Sequence, residues 1–344
     1  MNSVQHYATY REIKSQTEAW AQALELANAV SLPDAAQYEQ VIFTGCGSTY
    51  YLSLVAATLY QELTGRAARA VPASELLLNS QIVVSRIDNP TYKTLLVAIS
   101  RSGTTTETVR AVEKFKAEKR GSVVAISNYN EALSRLADVK IVIDKGQEES
   151  MAQTRSFASM FMAVTVFCVR MAGQDDLLDA MNKLPEIGDR LIDKYESFAK
   201  ELGENLDFDR FYFLGSGIRY GLACEVNLKM KEMTLTHSEP FHFLEFRHGP
   251  MSMVNESAVV VGLLSDANRV HEAKVLAEMK MLGATVAALS EVEADVEFES
   301  GIPESVRGVL YLPVLQLMAF HRSVTKGLNP DRPNNLTAVV KLEL

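Results

Sequence analysis

Val41-Ile42-Phe43-Thr44-Gly45-Cys46-Gly47-Ser48-Thr49-Tyr50 recurs 170 residues later as Phe211-Tyr212-Phe213-Leu214-Gly215-Ser216-Gly217-Ile218-Arg219-Tyr220. In both places an apolar run of strand length meets Gly-x-Gly and then opens a helical pattern. Gly45, Gly47, Tyr50 and Leu52 return as Gly215, Gly217, Tyr220 and Leu222. Further on, Val123-Val124-Ala125-Ile126-Ser127 finds an echo in Val286-Ala287-Ala288-Leu289-Ser290. Two copies of one α/β unit follow from this self-similarity. Around the first copy, strands are expected over residues 41–44, 94–99, 122–126 and 140–143, with helices over 49–63 and 105–119. Such alternation predicts βαβ units and a mostly parallel sheet flanked by helices.

Working outward, residues 1–35 read as an N-terminal helical segment carrying Trp20, Leu24 and Leu26. The first copy spans 36–173, a polar helical connector 174–205, and the second copy 206–328. The tail, 329–344, holds Pro330 and Pro333 and is expected to cross the surface before returning near the sheet. A length of 344 residues suits two domains. The net charge of −9 argues against a nucleic-acid partner, because phosphate backbones demand a basic surface. Cys46, Cys168 and Cys224 are widely spaced and match no zinc or disulfide pattern, which points to a reducing cytoplasm. The N-terminus shows no secretory pattern, and apolar stretches such as 160–169 are shorter than a membrane span. No membrane association, metal or cofactor is expected.

The copies diverge after the strand at 94–99. There the first copy reads Ser100-Arg101-Ser102-Gly103-Thr104-Thr105, while the second has Ser265-Asp266-Ala267-Asn268-Arg269. A loop between a strand and a helix start presents free N–H groups and the positive helix end to an anion. Four hydroxyls around a glycine exceed what a helix cap alone needs. One site assembled from both halves fits this asymmetry better than two independent sites. Gly45-Cys46-Gly47-Ser48-Thr49 lacks a third glycine, since Tyr50 takes its place, so a dinucleotide site is poorly supported. Cys46 reads as a small packing residue.

Glu225, Lys229 and Glu232 share one helix face at i, i+4 and i+7. Spacing alone favours a solvated ion-paired face there. His237 to Pro250 then reads as a loop with three of the chain's six histidines, and His237, His242 and His248 fit no standard zinc spacing. General acid–base work by Glu232 and a histidine is the better functional reading.

Taken together, Cys46–Tyr50, Ser100–Thr105, Ala152-Gln153-Thr154-Arg155-Ser156-Phe157, Lys229–Glu232 and His248-Gly249-Pro250 resemble the sugar isomerase (SIS) family in its double-domain form. Its members include the isomerase half of glucosamine-6-phosphate synthases, amino-sugar phosphate deaminases and ketose/aldose isomerases. The resemblance, over residues 36–344, implies two SIS-type α/β domains. It also implies that Ser100, Arg101, Ser102 and Thr105 hold a sugar phosphate. Gly47, Ser48 and Thr49 would approach the substrate, and Met151 would add backbone contacts. Glu232 would move a proton between C1 and C2, supported by Lys229. His248, delivered by a neighbouring subunit, would open the sugar ring, which implies a homodimer.

One departure bears on the reaction. The synthases carry a Schiff-base lysine after an Asn-Leu-Ala run; here the run is Asn335-Leu336-Thr337-Ala338, and Lys341 comes three residues late. A glutaminase domain is also missing from the sequence, so a glutamine-dependent synthase is not expected. The expectation is an amino-sugar-6-phosphate deaminase/isomerase. Alternatives are an aldose/ketose phosphosugar isomerase, a fructosamine-phosphate deglycase, or a non-catalytic sugar-phosphate sensor. The presence of both Glu232 and His248 argues against the sensor.

Overall fold

The computed structural model describes residues 4–83, 93–337, 339 and 342. The chain begins with α1 (Ala8–Lys14) and α2 (Gln16–Ala29), both within the stretch that reads as helical. Ser15 separates them: its N–H and Oγ still bond Arg11 O, at 3.0 and 2.8 Å, but its backbone leaves helical geometry at φ −111° and ψ 11°. The first copy continues with β1 (Gln40–Gly45), α3 (Ser48–Thr64), β2 (Ala68–Pro72), α4 (Ala73–Leu78), α5 (Ser80–Val83) and β3 (Thr94–Ser100). It is completed by α6 (Thr106–Ala117), β4 (Gly121–Ser127), α7 (Ala132–Leu136), β5 (Val139–Val142), α8 (Arg155–Ala172) and α9 (Asp175–Met181). The second copy is preceded by α10 (Leu184–Lys194) and α11 (Glu196–Glu204). It contains β6 (Arg210–Gly215), α12 (Ile218–Thr234), β7 (His237–Phe241), β8 (Ala258–Leu263), α13 (Arg269–Met281), β9 (Thr285–Ser290), β10 (Val296–Glu297) and α14 (Leu312–Thr325).

By internal contacts the chain forms two units, one of Glu18–Gln147, Arg155–Asn182 and Thr337–Leu344, the other of Met1–Thr17, Glu148–Thr154 and Lys183–Leu336. The first holds a sheet of order β2-β1-β3-β4-β5, and every pair in it is parallel. All seven residues of β3 are buried, as expected of a strand covered on both faces. Ile42, Leu96, Ala98 and Val123 pack against Val112 and Phe115 of α6. Helix α8 is long and apolar enough to cross a membrane, contrary to the reading of stretch 160–169 as too short. However, 78% of that helix is buried inside the protein, which makes it a core element.

The second unit's sheet has the order β10-β9-β8-β6-β7, again all parallel, and read from β7 it repeats the first sheet's topology. Its core joins Tyr212, Leu214 and Val260 to Phe243, Phe246 and Met279. The tail is anchored by Asp331, whose carboxylate accepts the N–H groups of Ala8 (2.9 Å) and Thr9 (2.8 Å) at the start of α1. Residues 334–337 are exposed. Within the first unit, Leu342 N–H donates to Thr106 Oγ1 at the start of α6. Ala338 and Lys341 lie outside the described residues.

Candidate functional site

In the order 2-1-3-4-5, β1 and β3 are neighbours whose connections leave toward opposite faces, and such sheets take ligands at the strand ends of that switch point. The two loops singled out in the first copy follow these two strands. In the turn after β1, Gly47 has φ 57° and ψ −125°, a conformation glycine tolerates, and Gly217 repeats it with φ 58° and ψ −133°. A Cβ on Gly45 would lie 2.7 Å from the Thr49 carbonyl, and one on Gly215 would lie 2.3 Å from Arg219 O. The shared glycines are thus demanded by a tight strand-to-helix junction. Thr49 spends its hydroxyl within the turn, donating to Cys46 O and accepting Cys46 N–H, both at 2.9 Å. Gly47 is exposed, whereas Ser48 is buried. Cys46 sits against Thr108, and burial pushes its thiol above the usual range, which leaves it a packing residue.

After β3, Ser100 is buried and shapes the loop: its Oγ accepts Gly103 N–H at 3.2 Å and lies 3.4 Å from Thr105 Oγ1. Gly103 takes φ +66°, and its backbone O accepts Leu133 N–H at 2.9 Å. Thr105 is the residue before α6, yet its hydroxyl makes no capping bond to the helix. Capping therefore does not account for the hydroxyls here. Ser102, Thr104 and Thr105 stand half-buried, with Ser102 Oγ accepting from both N–H and Oγ1 of Thr104 at 3.2 Å. Arg101 is buried, and its backbone O receives Asn128 N–H at 3.1 Å. Asn128 is itself locked by bonds from Nδ2 to Ile143 O and Ser159 Oγ. Nothing local marked Asn128, because its partners come from distant stretches.

In the second unit, α12 carries Glu225, Lys229 and Glu232, and the solvated-face reading fails. Glu225 is 1% exposed and Lys229 2%. Lys229 Nζ lies 2.6 Å from Glu232 Oε2 and 3.4 Å from Glu225 Oε1. An ammonium that deep is tolerable only with carboxylates around it. The Glu232 side chain keeps 20% of its surface open, so one carboxylate is buried and the other stands at the rim, fixed by the same lysine. That arrangement can hold a carboxylate in one orientation while leaving it reachable, as a general base requires.

Segment 148–154 is tied down in the same unit. Glu12 accepts the N–H of Glu149 and bonds Ser150 Oγ, while Glu148 accepts N–H and Oγ1 of Thr154 at 2.7 and 2.9 Å. Burial, then the charge of Glu148, raises the Glu12 carboxyl above its usual range. Met151 gives its N–H to Asp331 O at 2.9 Å, so that group is engaged within the protein. Glu12, Glu148 and Asp331 were not marked by any motif. The stretch read as a loop from His237 begins as edge strand β7. Its three histidines go separate ways. His237 is exposed, 4.0 Å from Glu239; His242 stacks on Tyr220 with ring centroids 3.9 Å apart; His248 is exposed after a short turn braced by Arg247 and Glu278.

Known proteins share this architecture. The chain is 28% identical over 355 residues to glutamine–fructose-6-phosphate aminotransferase [isomerizing] of Thermococcus kodakarensis, covering 97% of this chain and 58% of that protein. The same enzyme of Pyrococcus horikoshii is 30% identical over 357 residues, with 97% and 57% covered. The chain therefore spans somewhat over half the length of these relatives. Among solved structures, tagatose-6-phosphate ketose/aldose isomerase from Escherichia coli superposes with a TM-score of 0.85 at 22% identity, covering 96% of this chain and 97% of that one. Glucosamine-6-phosphate deaminase from Thermotoga maritima gives 0.81 at 24% identity, covering 97% and 100%. The SIS domain family model matches residues 36–170 and 207–296, one stretch in each repeat. With both repeats matched over well more than half its length, the chain belongs to the SIS domain family.

Proposed function

We propose that this chain is a phosphosugar isomerase, and more specifically an amino-sugar-6-phosphate deaminase/isomerase. The observation that carries the reading is Glu232, held at the rim of α12 by the buried Lys229. In the open-chain amino aldose, Glu232 takes the proton from C2 and returns it to C1. The C1 carbonyl becomes a hydroxyl and C2 an imine; water adds at C2 and ammonia leaves, giving the ketose. The loop Ser100–Thr105 binds the phosphate through Ser102, Thr105, Arg101 and the N–H groups at the start of α6, with Ser100 shaping the loop from beneath. Gly47, Ser48, Thr49 and the Met151 segment approach the sugar. His248, exposed on its own subunit, opens the ring in the partner of a homodimer.

Loss of ammonia is favoured over amination because Ala338 stands where the aminating relatives' Schiff-base lysine is expected. The three cysteines are free thiols, which suits a reducing cytoplasm. The activities for which these similar proteins are named, on fructose 6-phosphate, glucosamine 6-phosphate and tagatose 6-phosphate, support a hexose phosphate as substrate. The test is a panel of hexose-6-phosphates and 2-amino-hexose-6-phosphates with ammonia and ketose followed together. Ketose with equivalent ammonia from an amino sugar is expected. Ketose from neutral sugars alone would assign a plain aldose/ketose isomerase, and binding without turnover would assign a sensor.

A further inference from the structure

Because the second sheet repeats the first, it has its own switch-point crevice between the ends of β6 and β8. The chain's own side chains fill it. The pairings Thr44↔Ala98 and Leu214↔Gly262, carried forward, set Asp266 in the place of Ser102 and Arg219 in the place of Thr49. Arg219 Nη1 donates to Glu304 Oε1 at 2.6 Å, and Asp266 N–H donates to the same oxygen at 3.1 Å. A second buried arginine, Arg307, pairs with Asp266 and lies 3.5 Å from Glu291 Oε2. Deeper, Glu272 Oε2 accepts the N–H and Oγ of Ser265 at 2.6 and 2.9 Å.

A guanidinium and a backbone N–H converging on one oxygen is the donor set that holds a phosphate. The buried Nε of Arg219 makes no hydrogen bond among the described residues, so the guanidinium has donor capacity beyond the bond that Nη1 gives to Glu304. We infer that the second copy retains an oxyanion cradle and that Glu304 occupies it as a built-in anion. Arg219's side chain is 8% exposed and Glu304's 23%, so the carboxylate is the more exposed partner of the pair. Without it, Arg219 is left as a buried, unpaired cation, an arrangement that strongly favours uptake of a small oxyanion.

Calorimetric titration of inorganic phosphate into the full chain tests this. Glu304→Gln is expected to bind one more phosphate per chain than the unaltered protein, and Glu304→Gln/Arg219→Gln to lose that gain. Equal counts in the unaltered chain and Glu304→Gln would overturn the inference. The analogy to the first loop rests on its reading as a phosphate site, but the difference in counts does not. An unaltered chain that binds none, with a site gained in Glu304→Gln, would count against the first-loop reading alone. Should Glu304→Gln fail to fold in phosphate-free buffer, recovery of native circular dichroism in excess phosphate supports the cradle, and no recovery overturns it.

Discussion

Ser102 and Ser100 differ by two positions and by role. Ser100 is buried under the loop and holds Gly103, while Ser102 and Thr105 remain half-exposed. Removing either half-exposed hydroxyl should therefore weaken substrate binding without unfolding the loop. A hydrogen bond to a charged group is worth about 1.5–3 kcal/mol, so Ser102→Ala or Thr105→Ala should raise KM roughly ten- to hundredfold. Unchanged KM in both variants would move the phosphate elsewhere. The loop's hydroxyl content was legible because the signal lies in six consecutive residues. The depth of Glu225 and Lys229 was not. Their spacing fits a solvated ion-paired face as well as a buried one, and only the packing around α12 decides between them.

At the scale of elements, the apolar runs of β1, β3 and β4 announced the sheet because they are covered on both faces. Edge strands β2 and β7 escaped notice. Each carries a proline, Pro72 or Pro240, and each is only partly buried, so neither makes an apolar run. The start of α1 shows the same limit. Tyr7 gives it no side-chain cap; the cap comes from Asp331, more than three hundred residues away. Asp331→Ala should lower stability by about 0.5–2 kcal/mol, as loss of a cap does, and thermal unfolding would register it. A melting temperature equal to that of the unaltered chain would show that Asp331 contributes nothing to α1.

For the molecule as a whole, stability should depend on pH through His321 in α14. Burial holds its imidazole below the ordinary value, although Glu196, 3.8 Å away, pulls it upward. The unfolded chain takes up a proton near pH 6.5 that the folded chain declines. The contribution is therefore complete above about 6.5 and lost as pH falls toward the depressed folded value. Melting temperatures at neutral and mildly acidic pH should fall more in the unaltered chain than in His321→Gln; equal falls would remove His321 as the cause. The proposed dimer makes a different demand. Mixing Glu232→Gln with His248→Ala protein under subunit exchange should restore part of the activity that each lacks. Dead mixtures despite demonstrated exchange would place His248 in its own chain's chemistry or outside it.

The central claim is that Glu232 carries the proton between adjacent carbons while the rest of the site binds. Glu232→Gln preserves shape and removes the base. Side-chain acid–base catalysis is typically worth roughly 10²–10⁴-fold, so kcat should fall by about that factor with KM little changed. The measurement is steady-state kinetics of Glu232→Gln on the best substrate from the panel, with native circular dichroism confirming the fold. A fall in kcat of that size at nearly constant KM is the predicted result. Near-normal turnover would contradict the account and return the Glu225–Lys229–Glu232 cluster to a structural ion-pair network.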